Sequence, residues 1–138
     1  MNVERIALIG LGSIGRRHLR NIVMLRPAAE VTLVRSGKGR DWPELEQVER
    51  VAYSVQEAID AGVQAAIIAS PATLHVQQAI TFARAGVHLL IEKPLSHEVE
   101  GVEELLSLVK GSGVVGLTGY VLRYDPVAQA FKTFLKEG

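Results

Sequence analysis

Ile6-Ala7-Leu8-Ile9-Gly10-Leu11-Gly12-Ser13-Ile14-Gly15 is the stretch whose reading decides the fold of this chain. An apolar run over residues 3–9 closes on Gly10, and the glycines then follow the spacing G-x-G-x-x-G. That spacing alone is weak. It gains weight here because it ends a strand-like run and opens a helical one. Each glycine answers a separate physical demand. Gly10 permits the tight turn, Gly12 lacks the Cβ that would keep a pyrophosphate off the backbone, and Gly15 lets the new helix pack closely. The free N–H groups where Ser13 and Ile14 begin the helix then face an anion. The pattern predicts a dinucleotide site. The alternatives are a strand–helix turn without a ligand, or another nucleoside such as S-adenosylmethionine.

Working outward, short runs rich in Val, Ile and Leu recur at residues 31–34, 51–54, 65–69, 88–91 and 114–118. Continuous apolar runs are the mark of strands buried on both faces. Between them the spacing is helical. Val76, Ala79, Ile80 and Ala83 fall at i, i+3, i+4 and i+7 within residues 73–85, with Gly86 after them as a C-terminal cap. Val102, Leu105, Leu106 and Val109 repeat the pattern within residues 98–110, with Ser96 as a candidate N-cap. Val127, Phe131, Phe134 and Leu135 repeat it once more and read as a core-facing stripe. Residues 55–61 form a short helix, and residues 42–49 stay ambiguous between loop and helix. Alternating strands and helices predict an α/β Rossmann domain over residues 1–138: a doubly wound parallel sheet in strand order 3-2-1-4-5-6, with three α/β/α layers.

The end of the second strand bears on the cofactor. An acid there takes the adenosine ribose hydroxyls and selects NAD. This chain instead carries Arg35, Ser36, Lys38 and Arg40, while Glu30 lies at the other end of the strand. A hydroxyl and guanidinium forks suit a 2′-phosphate, so NADP is the expected cofactor and NAD the alternative. A solvated basic loop would read the same way. The fifth strand ends in Ile91-Glu92-Lys93-Pro94. A lysine at the carboxyl end of a parallel strand stands where such sheets bind ligands. Partial burial would favour its neutral form, and it could then act on a substrate hydroxyl. A surface lysine is the competing reading. His75 begins a helix and could equally cap it or face solvent. His18 reads as surface or packing.

Four segments together resemble the Gfo/Idh/MocA oxidoreductase family (glucose-fructose oxidoreductase, inositol dehydrogenase, rhizopine catabolism). They are IALIGLGSIGRRHLRN, IIASPATLHVQQAITFARAG, HLLIEKPLS and GYVLRYDPVAQAFKTFL. The E-K-P after a Ser-Pro-x-x-x-His element is the specific part. The resemblance implies that Gly10, Gly12, Ser13, Ile14 and Gly15 line the pyrophosphate. It implies that Ser70, Pro71, Leu74 and His75 border the riboses and that Glu92 lies near the nicotinamide ribose. It makes Lys93 the catalytic lysine and Pro94 a residue that often follows a cis bond, and it puts Arg123 near the mouth of the active site. The implied reaction is hydride transfer at a carbinol carbon of a sugar, cyclitol or related polyol.

Family members are usually more than twice as long, and a second α/β domain supplies most of the substrate pocket. The expectation is therefore a dinucleotide-binding domain, excised or naturally truncated, that binds cofactor with little turnover and meets substrate only with a second domain. A stand-alone redox sensor is the alternative. Charge argues against other partners: Lys+Arg and Asp+Glu number 15 each, which gives no global attraction to nucleic acid or anionic membranes. There is no cysteine, and His18, His75, His88 and His97 show no ligand spacing, so no metal site is expected. No apolar run approaches the ~20 residues of a membrane helix. A cytoplasmic protein is expected, with its oligomeric state open.

Overall fold

The computed structural model describes residues 3–38 and 40–137. Gly39, in the basic loop, lies outside them. The described residues form one six-stranded sheet in the order β3-β2-β1-β4-β5-β6, parallel throughout. The strands are β1 (Arg5–Ile9), β2 (Glu30–Val34), β3 (Arg50–Ala52), β4 (Ala65–Ile68), β5 (His88–Ile91) and β6 (Gly116–Thr118). The helices are α1 (Ser13–Leu25), α2 (Val55–Asp60), α3 (Ala72–Arg84), α4 (Val102–Ser112) and α5 (Pro126–Glu137). Residues 42–49 resolve into a 3-10 turn at Pro43–Gln47, and a second such turn, Val121–Tyr124, precedes α5.

Strand register sorts the side chains by face. Ala7 and Ile9 of β1, Ala66 and Ile68 of β4, and Leu89 and Ile91 of β5 point to one side and pack on α2, α3 and α4 around Phe82. Ile6 and Leu8 point to the other side and meet Leu19 and Ile22 of α1 with Val31 and Leu33 of β2. Burial on both faces holds for β1 and β2. In β4 and β5 alternate residues are only half-buried, and in β6 Leu117 is exposed.

Two helix expectations change. The fourth helix begins at Val102 rather than near residue 98, because Gly101 adopts the left-handed region (φ 76°) and breaks the helix there. A Cβ on Gly101 would stand 2.9 Å from Val76 Cγ1, so the chain passes tightly over α3 at this point. Ser96 is not the N-cap; its Oγ accepts the Glu98 N–H within a local turn. The apolar stripe of α5 is not core either. Phe131 and Phe134 are 61% and 70% exposed, and Val127 and Leu135 are exposed as well. The helical period is present, but it says only that one face is apolar, not what covers it.

Candidate functional site: a cleft at the carboxyl ends of the strands

The strands all run one way, so their carboxyl ends share one edge. The strand order reverses between β1 and β4, which opens a crevice there. A cleft of about 690 Å³ occupies this edge. The glycine loop forms its floor. Gly10 has φ 89°, and its N–H donates to the Val34 carbonyl at 2.9 Å, which ties the loop to β2. A Cβ on Gly10 would come 2.9 Å from the Ala69 carbonyl oxygen. A Cβ on Gly15 would come 2.2 Å from the Gly10 carbonyl oxygen, so Gly15 packs α1 against the loop itself. Gly12 differs, because a Cβ there meets nothing within 4 Å. Gly12 is the N-cap of α1, offers no side chain to the first N–H groups, and is followed by no acid in the first turn. The positive end of a 13-residue helix therefore opens onto the cleft. This cradle fits a pyrophosphate.

Basic groups gather at one end of the cleft. Arg35, Ser36 and Arg40 line it. Arg35 is held there by Asp41, whose Oδ1 accepts from Nη1 at 2.8 Å, and by the Arg40 carbonyl at 3.2 Å. Lys38 is exposed and is not part of the lining. Trp42 and Tyr53 add aromatic surface at the same end. The Arg16 guanidinium sits 4.0 Å from the Trp42 ring centroid and 3.7 Å from Glu44, and Arg16 is not part of the cleft lining. Sequence reasoning passed over Trp42 and Tyr53. The available signal was position, since Tyr53 directly follows the carboxyl end of β3, where such sheets bind ligands.

The β4 end forms the other wall. Ser70, Pro71 and Leu74 line the cleft, and the Ser70 hydroxyl donates to Gln78 Oε1 at 2.6 Å. His75 does not reach the cleft. It is 2% exposed, with Nδ1 2.9 Å from the Pro94 carbonyl oxygen and Nε2 2.8 Å from that of Ser70. It thus joins the ends of β4 and β5.

Beyond β4 stands the Glu92-Lys93-Pro94 turn, outside the cleft lining. The Lys93–Pro94 bond is cis. Lys93 is exposed rather than partly buried, because no described segment covers this part of the edge. Glu92 is 5% exposed and faces α1, where His18 Nε2 donates to its Oε1 at 2.7 Å. His18 is therefore not a surface residue. It shares the buried stripe of α1 with Gly15, Leu19 and Ile22, a helical spacing that the sequence already displayed. Arg123 lies on the turn before α5. It lines a separate hollow of about 470 Å³ with Lys132 and Lys136, away from the glycine loop.

Residues 4–120 match the family model described as GFO_IDH_MocA, oxidoreductase family, NAD-binding Rossmann fold. Among individual proteins, the myo-inositol 2-dehydrogenase of Thermotoga maritima is 31% identical over 97% of this chain and 41% of its own length. The NAD(+)-dependent scyllo-inositol 2-dehydrogenase of Bacillus subtilis is 34% identical over 88% of this chain and 37% of its own. The crystal structure of myo-inositol 2-dehydrogenase from Lactobacillus plantarum superposes with a TM-score of 0.84 at 26% identity, covering 99% of this chain and 42% of that one. The chain thus spans about two-fifths of the length of these relatives.

Proposed function

Because this chain belongs to the Gfo/Idh/MocA oxidoreductase family and carries its NAD-binding Rossmann fold, we propose that it is the dinucleotide half of an oxidoreductase acting on a sugar, cyclitol or related polyol. The carrying observation is the uncapped start of α1 over the open Gly12 backbone, in a cleft at the reversal of strand order. The pyrophosphate lies on that helix start. The adenosine half runs toward Arg35, Ser36 and Arg40, and the nicotinamide half runs toward β4 and β5. When bound, the nicotinamide supplies the hydride donor or acceptor. Lys93, on the β5 end, holds or takes the proton of the substrate hydroxyl. The cofactor is NADP(H) in preference to NAD(H); support comes from the hydroxyl of Ser36 and the guanidinium groups of Arg35 and Arg40, which line one end of the cleft and suit a 2′-phosphate. Asp41 favours the second reading, NAD(H), because it brings a carboxylate to that rim.

A further domain supplies the substrate pocket, in keeping with the length of the relatives. The chain by itself binds cofactor and turns over little, because hydride transfer needs the substrate carbon held close to the ring. Calorimetric titration with NADPH and then NADH tests this reading. Tighter NADPH binding is expected. Tighter NADH binding would overturn the preference while keeping the site, and no binding of either would overturn the site. Robust polyol dehydrogenase activity of these 138 residues alone would refute the division of labour.

A further inference from the structure

We infer that His18 and Glu92 form a buried clasp between the dinucleotide helix and the lysine turn, and that both are positioning residues for Lys93. The inference deepens the reading above, on which it rests. The resemblance implies a place for Glu92 near the nicotinamide ribose; in this structure its carboxylate is buried and bonded within the protein. One oxygen accepts from His18 at 2.7 Å, and the other accepts the Lys93 backbone N–H at 3.2 Å. The side chains of His18 and Glu92 are 15% and 7% exposed, so the pair is shielded from competing water. The far side is packed as well, since a Cβ on Gly119 would stand 3.2 Å from three atoms of the carboxylate.

The backbone completes the fixture. The Glu92 N–H donates to the Ile68 carbonyl at 2.9 Å, and the Gly119 N–H to that of Ile91 at 2.7 Å. Pro94, on the other side of the lysine, is tied through its carbonyl to His75 of α3. Lys93 is thus an exposed side chain between two neighbours anchored to different helices. An exposed lysine has many rotamers and a mobile backbone unless something holds it. The clasp removes the backbone part of that freedom. It also joins the turn to α1, the helix that receives the pyrophosphate, so the lysine and the cofactor cradle share one rigid connection.

Two readouts test this on the full chain. The first is residue-resolved amide hydrogen exchange without ligand. In His18→Ala the Lys93 N–H should exchange about tenfold faster or more, since a buried charge-assisted partner is lost. The sheet amides of Ala69 and Leu89 should stay within about twofold. Equal acceleration of all three would mean that His18 only stabilises the fold, and an unchanged Lys93 amide would mean that no clasp exists; either overturns the proposal. His18→Gln places an amide donor near the Nε2 position and should restore Lys93 protection at least in part. It also serves as the measured variant if His18→Ala does not fold, in which case Glu92→Gln is the disrupting change. Adding Glu92→Gln to His18→Ala should bring little further change at Lys93, because the two act as one unit.

The second readout is a split in affinity. Binding of whichever dinucleotide the unaltered chain holds more tightly, NADPH or NADH, should weaken about tenfold in His18→Ala, while the matching ligand without the nicotinamide, 2′-phospho-ADP-ribose or ADP-ribose, should bind within about twofold of the unaltered chain. Equal weakening of both ligands would overturn the proposal. If the unaltered chain binds neither ligand, the functional reading fails, and the exchange experiment alone decides whether the clasp exists.

Discussion

Replacing Gly15 and Gly12 by alanine, one at a time, should separate the folding role of the glycine loop from its binding role. At Gly15 the new methyl would lie 2.2 Å from the Gly10 carbonyl oxygen, well inside the 3.0 Å that real Cβ atoms essentially never breach. The contact is with backbone on both sides, so no side chain can swing away. Either α1 retreats or the turn opens. Overpacking of this kind costs about 1–3 kcal/mol and occasionally more. Against it stands the gain of about 1 kcal/mol when alanine replaces glycine within a helix. Because only backbone can yield, the cost belongs at the upper end of that range, and the balance is a loss of about 2 kcal/mol, or a fall in Tm of about 5–10 °C for a domain of this size. At Gly12 the backbone has φ −69° and ψ −170°, which alanine adopts freely, and nothing lies within 4 Å. Alanine is the poorer N-cap by about 0.5–1 kcal/mol, but it also stiffens the unfolded chain by about 0.4–1 kcal/mol, so stability should stay within about 0.5 kcal/mol. Its methyl, however, projects at the place where the phosphates must approach. Dinucleotide affinity should therefore fall at least about tenfold. Thermal melts and calorimetry on the same preparations measure both quantities. A Gly12→Ala chain that binds NAD(P)H like the parent would refute the assignment of the cradle. A Gly15→Ala chain that melts like the parent would refute the close contact.

Three further predictions concern the core, a cap and a reporter. Phe82→Ala should destabilise by about 3–5 kcal/mol, because Phe82 is wholly buried in the larger core, whereas exposed Phe134→Ala should change chemical denaturation by less than about 0.5 kcal/mol. Ser54→Ala should cost about 1 kcal/mol in the same assay. Ser54 Oγ accepts the Glu57 N–H at 3.1 Å and donates to Glu57 Oε1 at 3.0 Å, so the N-cap of α2 is lost; no change would show that α2 does not depend on it. Trp42 is the sole tryptophan and lines the basic end of the cleft, so its emission should change on saturation with NADPH and stay constant with nicotinamide mononucleotide. Constant emission at calorimetric saturation would move the adenosine half elsewhere.

The sequence by itself determined the architecture and the cradle. Strand order and the glycine loop were legible because they rest on local signals: an apolar run, a glycine at a turn, a 3.6-residue period, and the handedness rule for parallel crossovers. The tertiary structure decided which of the motif residues face the cleft. Ser70 and Leu74 do, while His75, in the same motif, turns inward to bridge two carbonyl oxygens. Glu92 and Lys93 are adjacent, yet one is buried against α1 and the other stands in solvent. His18 lies 74 positions from Glu92, and no local pattern encodes that meeting. The α5 stripe marks the same limit from the other side: its apolar period is plain in the sequence, but its exposure depends on what the rest of the fold brings against it. Periodicity reports the face a residue occupies. Only the packing of distant segments reports what that face meets, because burial belongs to pairs of surfaces and not to one stretch of chain.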